Sequence, residues 1–308
     1  IVYMKKVCVV GSNLYELADT MMKVCAESGK NYKVVVPDKF SLLCELLYFS
    51  ATNKSCTFDT QVVSVSSLAY MVLDELGIKV DTLSSSQQAL VTKRAIQNCK
   101  DKLCFIKQNN SSAFYSEMSK TISQLKSSNV DLSKIDFESG KINDFKIIFE
   151  EYQKLCVGKT DNNDLLCLLK QNIKNSKVFE NTVFLFVGFD SFTNQIFDIV
   201  KTISEVCDIY VGALVPSNQT QKSFYDLDIY GKISSSFEDV EYVMCDKNLN
   251  FCQSQIENNL FNTQKIPSQK SDFLQVFQSK SFEDETNFVF CQKDDSLRRI
   301  PDYADYIY

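Results

Sequence analysis

Residues 183–187 read VFLFV, an apolar run with no polar interruption. A strand with one wet face alternates. A run apolar at every position needs cover on both faces, and at this length it reads as a strand rather than a helix. Strands covered on both faces belong to parallel sheets flanked by helices, so this segment by itself predicts an α/β fold. The strand is expected over Val183–Phe186, with Val187 at its carboxyl end. Gly188-Phe189-Asp190 supplies a turn, and Ser191–Thr193 the start of a helix. Ligands of such sheets gather outside the carboxyl ends of the strands, so this turn is the first place to look for chemistry.

The amino-terminal region alternates in the same sense. Lys5–Val10, Tyr32–Val36 and Gln61–Val65 have strand character, and Leu14–Ser28, Phe40–Phe49 and Leu68–Leu76 have the periodicity of amphipathic helices. Ser66 and Ser67 are N-cap candidates for the third helix, and Gly77 follows it where a left-handed C′ residue belongs. The opening IVYMKKVCVV has an apolar part of strand length and no small-residue cleavage site after it, so it is read as the first strand. Between residues 84 and 177 the strand signal disappears. Ser86–Cys99, Ala113–Lys126, Lys141–Cys156 and Asn163–Ile173 each repeat at helical spacing, and proline is absent from the interval. Strands resume at Val183–Phe186 and Asp208–Leu214, with a helix expected over Gln195–Val206. After Pro216 the pattern weakens to a helix at Leu249–Leu260, a linker around Pro267, a strand at Leu274–Phe277 and the start of another at Tyr303–Tyr308, where the chain is expected to be cut short. The organisation read from this pattern is an α/β core in two parts, 1–83 and 178–308, interrupted by a helical subdomain over 84–177.

Composition removes several classes of chemistry. The chain has no histidine, which excludes Ser-His and Cys-His nucleophiles and histidine-ligated metals within it. Its twelve cysteines include no pair at C-x-x-C spacing, the nearest being Cys99 and Cys104, so no metal site is expected. Cys8, Cys167 and Cys207 lie in apolar runs as small core residues, and free thiols fit a reducing cytoplasm. No apolar run reaches the ~20 residues of a membrane span, and no membrane partner is expected. The net charge of −6 is unevenly spread: residues 84–177 carry fifteen Lys or Arg against ten Asp or Glu, a net of +5, which leaves −11 elsewhere. That lobe is either a lysine-rich solvated helical surface or a surface for phosphates.

The turn after the first strand is where a phosphate-binding loop would sit. Such a loop needs glycines so that backbone N–H groups close round phosphates, a lysine for charge, and Ser or Thr for Mg²⁺. Here the turn is Gly11-Ser12-Asn13-Leu14-Tyr15-Glu16, with one glycine, no lysine and a carboxylate at Glu16. Gly11 and Ser12 are the only remnant of a nucleotide site, and Lys23 lies two turns too far into the helix. A Mg²⁺-binding acid should end the strand at Val187, and Asp190, three residues on, is placed for capping or a turn. No catalytic residue, cofactor or metal is expected.

Several segments, in order and spacing, resemble the amino-terminal region of the B subunit of AddAB-type (RexAB) bacterial helicase–nucleases. The family's VPEQFTFQAE is similar to Val36–Glu45 (VPDKFSLLCE), and its strand and FSRLAY helix to Val63–Tyr70 (VSVSSLAY) and the following Met71–Gly77. Its aromatic-acidic helix resembles Phe145–Leu155 with Asp161 and Asp164, and its DGFDSFTPQE resembles Val187–Gln195. The similarity runs from about residue 5 to 215, with a weaker echo at Phe282–Tyr308. It implies a RecA-like, superfamily 1 helicase-like core with an inserted helical subdomain beside a DNA path, an AddA-like helicase–nuclease subunit as partner, and work on DNA double-strand breaks. Family members commonly carry an intact Walker loop, and this chain departs from them there and at Val187. The family's nuclease and cysteine-ligated cluster have no counterpart here. The resemblance, taken with these departures, implies a non-catalytic helicase-like scaffold; the rival is a working ATPase with an atypical phosphate loop, and a third reading is an α/β interaction module without DNA. With the helical block beside DNA, Lys93, Arg94, Lys100, Lys102 and Lys107 become candidates for sequence-independent phosphate contacts with single strands or duplex ends. Phe40 and the turn carrying Ser64 and Ser66 lie where a single strand would cross, and Phe40 either stacks on a base or packs in the core.

Overall fold

A computed structural model of the chain describes residues 4–27 (backbone only at 25–27), 31–53, 62–106, 111–130, 132, 140–215, 228–245 and 281. All of these except Ser281 fall within one compact unit that ends at Asn248. The expected helix at Leu249–Leu260 and the strands at Leu274–Phe277 and Tyr303–Tyr308 lie outside the described residues, as does Lys107.

Six strands, β1 (Lys6–Gly11), β2 (Asn31–Val35), β3 (Val62–Val63), β4 (Thr182–Phe186), β5 (Ile209–Leu214) and β6 (Val240–Met244), form one sheet in the order β3-β2-β4-β5-β1-β6. Every pairing is parallel. The reason is visible in β4. Val183, Leu185 and Val187 enter one core, with α1 (Leu14–Glu27) and α2 (Ser41–Thr52), while Phe184 and Phe186 enter a second core on the other face. That second core is made with α3 (Val65–Glu75), α7 (Asn162–Asn172), α8 (Asn194–Ser204) and α9 (Asp228–Ser236). Both alternating faces are dry, which is what an unbroken apolar strand requires. Connections that run toward β3 cover the first face and those that run toward β6 cover the second, as right-handed crossovers demand.

The helices of the interval 84–177 are α4 (Ser85–Cys99), α5 (Ser112–Ser127), α6 (Gly140–Leu155) and α7. The first three share a separate core around Ala95, Ile96, Leu103, Tyr115, Ile122, Ile148 and Tyr152. α7 packs instead with the sheet-side helices. The chain enters and leaves the helical block side by side: Thr82 and Thr160 form an isolated parallel bridge, and Lys159 is ion-paired with Asp81.

Three local expectations are corrected. The third strand is shorter than Gln61–Val65, because Val65 is already helical and buried. The cap of α3 is Ser64, whose Oγ accepts from Ser67 N at 3.2 Å, and not Ser66 or Ser67. Cys167 is exposed, whereas Cys8 and Cys207 are buried. Two elements were not anticipated, α9 and β6. Gly77 does take the left-handed conformation expected of it, with φ 69°.

Gly212 in β5 lets α1 lie close on the sheet. A Cβ there would sit 2.5 Å from Leu17 Cδ2 and 3.0 Å from Met21 Sδ, both on buried side chains of α1. Gly212→Ala is therefore expected to cost about 1–3 kcal/mol by overpacking. Gly231→Ala, in α9 with nothing within 4 Å, should be neutral or stabilise by about 0.5–1 kcal/mol. Urea denaturation of the two variants checks this, and equal midpoints would contradict the close approach.

Candidate functional site

The order of strands reverses between β2 and β4. β2 feeds a connection toward the β3 edge over one face, and its neighbour β4 feeds one toward β5 over the other. In a doubly wound sheet the crevice at the carboxyl ends of such a pair is the place for a ligand. Here it holds protein. Val36 and Pro37 lead from β2 into a single 3₁₀ turn, Asp38–Phe40, and the half-buried Phe40 lies against Gly188 just beyond β4. Gly188 has φ 82°, a backbone conformation that favours glycine, and a Cβ on it would press on the Phe40 ring at 3.1 Å. Lys39 Nζ reaches Asp190 Oδ2 at 3.3 Å across the top. Asp190 is thus an exposed ion-pair partner at the bend after β4, the turn position rather than the cap of the two roles expected, and the cap of α8 is Thr193. Phe40 precedes α2 as its N-cap residue and does not open that helix.

Val187, at the position where a metal-binding acid would be needed, is fully buried in the core with α1 and α2, and its N–H donates to Val35 O at 3.0 Å. At the end of β1 the turn into α1 consists of Ser12 and Asn13 alone. Asn13 Oδ1 accepts from Tyr15 N at 2.8 Å and from Glu16 N at 3.2 Å. The first-turn amides that a phosphate would need are already satisfied by a side chain, and two residues offer too little backbone to wrap one. Lys23 is paired with Asp19 at 2.5 Å. β5 lies between β1 and β4, which separates the two turns by about two strand spacings, roughly 10 Å.

Ser64 and Ser66 stand at the start of α3 on the same edge of the sheet. Ser64 is engaged as the cap, and Ser66 Oγ donates to Asn162 Oδ1 at 2.9 Å, tying α3 to α7. Neither is brought into contact with Lys93, Arg94, Lys100 or Lys102, which lie on α4 and the 3₁₀ turn after it.

Those four cations are exposed. Most lysines nearby are neutralised: Lys120 by Glu117, Lys154 by Glu151, Lys159 by Asp81, Lys170 by Asp198 and Lys174 by Glu205. Lys93, Arg94, Lys100 and Lys102 make no ion pair among the described residues, and Asp101 is the only acid in 93–106. The cations without ion pairs therefore run from the middle of α4, at Lys93 and Arg94, to its C-cap Lys100 and on to Lys102, toward a helix C-terminus that favours cations.

Two buried carboxylates anchor this region, and composition gave no sign of either. Asp144 in α6 is wholly buried and accepts three successive amides, from Cys104 at 2.9 Å, Phe105 at 2.7 Å and Ile106 at 3.1 Å. Asp161 caps α7 and binds Lys126 of α5, at 2.5 Å, with Asp164 at 2.6 Å from the same ammonium. Burial alone pushes Lys126 down, but its hydrogen bonds to the two carboxylates outweigh this and hold it above the ordinary lysine value. Tyr152, whose hydroxyl faces Asp161, is pushed up chiefly by burial. Burial likewise raises the thiols of Cys8, Cys44 and Cys207 to about 12, so they are core groups and not nucleophiles. Among the described residues no group of three or more Cys, Asp or Glu is placed to hold a metal, and no helix is long and apolar enough to cross a membrane.

The chain is 27% identical over 233 residues to the B subunit of the ATP-dependent helicase/deoxyribonuclease of Listeria welshimeri, covering 72% of this chain and 20% of that protein. The protein of the same name from Listeria monocytogenes is 27% identical over 259 residues, 80% of this chain and 22% of the relative. The one from Clostridium novyi is 27% identical over 207 residues, 63% and 18% respectively. The chain thus spans about a fifth of the length of these relatives. The family model described as ADDB, N-terminal, matches residues 14–277. With most of its length so matched, the chain belongs to the AddB amino-terminal family.

Proposed function

We propose that this chain is a non-catalytic, RecA-like helicase scaffold in a DNA double-strand-break-processing helicase–nuclease, binding DNA and an AddA-like motor subunit. In this reading 1–83 and 178–308 make the core, 84–177 is an inserted helical subdomain whose last helix, α7, returns to the sheet side, and the α4 cations meet phosphates without regard to sequence. The observation that carries it is the state of the carboxyl edge. The architecture keeps a sheet suited to nucleotide chemistry, yet Asn13 occupies the helix amides after β1, Val187 is buried after β4, and Phe40 fills the crevice between β2 and β4. The names and extent of the relatives support the complex, and the α4 cations without ion pairs support DNA.

The test is nucleotide itself. A ligand of the native state raises stability by about 2.7 kcal/mol at a concentration of a hundred times Kd, which is several degrees of melting temperature for a chain of this size. Millimolar ATP-Mg²⁺ should produce no upward shift and no phosphate release. A clear shift, abolished by Gly11→Val or Asp190→Asn, would install the working motor in its place.

A further inference from the structure

Beyond the end of α4 the chain makes a 3₁₀ turn, Lys100–Lys102, and buries Leu103 in the core of the helical block. It then presents Phe105, 62% exposed, one of the most exposed large apolar side chains among the described residues. An exposed phenylalanine on a loose loop would mean little, but this one is held. Its own N–H and those of Cys104 and Ile106 are fixed on the buried carboxylate of Asp144. One edge of its ring lies on Gly140 at the start of α6, where a Cβ would come within 2.1 Å of Phe105 Cε2. The backbone is clamped, the ring is seated on a residue with no side chain, and the rest of the ring faces solvent.

The surroundings specify what the ring is offered to. Lys100 and Lys102 lie within five residues of it, and Lys93 and Arg94 lie on the helix leading to it, all without an ion pair among the described residues. Three residues of chain span at most about 11 Å, so a strand that rests its phosphates on Lys100 and Lys102 has a base within reach of Phe105. Cations without ion pairs beside a held, exposed aromatic form the combination that binds single strands, charge for the backbone and a π-face for a base. Duplex DNA keeps its bases stacked on each other and has no use for the ring.

We propose that Phe105, positioned by Asp144 and Gly140, is a base-stacking platform that makes the basic end of α4 a single-stranded DNA site. The proposal rests on the DNA-binding reading above and adds to it the form of DNA and the residue that selects it.

The full chain is titrated against labelled oligo(dT) and a matched blunt duplex, with anisotropy as the readout. Phe105→Ala should weaken oligo(dT) binding by roughly ten-fold or more and leave duplex affinity and the salt slope unchanged. Gly140→Ala, which keeps the ring but forces it off its seat, should shift binding in the same direction. The chain contains no tryptophan, so Phe105→Trp provides a single tryptophan, excitable apart from the tyrosines, whose fluorescence should be quenched by oligo(dT). Unchanged oligo(dT) binding in Phe105→Ala and Gly140→Ala, or no quenching in Phe105→Trp, overturns the platform. If charge reversal on α4 still weakens binding in that case, the DNA-binding reading survives. If the parent chain binds neither DNA, both fail. Tighter binding of a poly-glutamate peptide than of oligo(dT) would overturn the platform and assign the patch to an acidic protein partner.

Discussion

Lys93→Glu, Arg94→Glu and Lys100→Glu combined are expected to reduce DNA affinity by about a hundred-fold or more near 0.1 M salt, and to flatten its salt dependence. Each phosphate neutralised by a cation releases condensed counterions, giving a slope in log Kobs against log salt of about −0.7 per contact for a single strand and about −0.9 for a duplex. Losing three contacts lowers the slope by roughly two for a single strand and nearly three for a duplex, and forfeits on the order of a hundred-fold or more in affinity at that salt. Reversal adds repulsion to the loss. The fold should tolerate the change, because the three side chains are exposed and make no ion pair among the described residues; such sites usually move stability by no more than about 0.5 kcal/mol. Lys100, the C-cap residue of α4, adds about 0.3–1 kcal/mol through the helix dipole, and a Lys100→Gln version separates that cost from the effect on DNA. Reversing Lys159, Lys170 and Lys174, which are engaged with Asp81, Asp198 and Glu205, is the matched control and should do far less. If the α4 triple variant binds single and double strands as the parent does, the basic end of α4 is a solvated surface, and an interaction module without DNA becomes the better reading.

Asp144→Ala is expected to be the most destabilising single change in the helical block, by about 3–5 kcal/mol. Hydrogen bonds to a charged group contribute roughly 1.5–3 kcal/mol each, and this carboxylate accepts from three successive amides. The sum is reduced because Cys104 and Phe105 are exposed, so water can replace part of what is lost. Asp144→Asn should recover only part of the loss, since an amide can turn one acceptor to the three donors and must place its NH₂ elsewhere. Urea denaturation followed by circular dichroism reads both changes. A loss below about 1 kcal/mol for the alanine variant would mean that the 104–106 segment is held by something other than this carboxylate.

Legibility in the sequence followed burial. β1, β4 and β5 could be placed to within a residue or so because their residues are apolar at nearly every position, β2 (NYKVV) because Pro37 closes the apolar run that ends it, and α4 to α8 because their apolar stripes repeat at helical spacing. β6 escaped because, among the described residues, it is an edge strand, VEYVM, with Glu241, Tyr242 and Met244 exposed and only β1 beside it. The start of α3 was misplaced because three serines follow one another closely and only geometry reveals that Ser64 is the one with extended backbone dihedrals. At the candidate site, what is missing could be read directly, since Gly11-Ser12-Asn13 and Val187 lack the required groups whatever the fold. What fills the gap could not. Nothing local to Phe40 announces a partner nearly 150 residues away at Gly188, and Asp144 reads as one more surface charge until its three donors, some 40 residues earlier, are seen folding back on it.

The position of β1 inside the sheet has a consequence for how the chain is made. Lys5 and Asp208, which join the start of β1 to β5, are 203 residues apart, and the strand on the other side of β1 begins only at Val240. At synthesis rates of 5–20 residues per second, β1 waits roughly 10–40 s for its first neighbour. During that interval Val7, Cys8, Val9 and Val10 have no strand on either edge, while α4, α5 and α6, whose partners are close in sequence, can already assemble around their own core. The earliest of the six strands to leave the ribosome is thus among the last to be covered. Holdase chaperones should engage the β1 segment, and let go only once β5 has emerged.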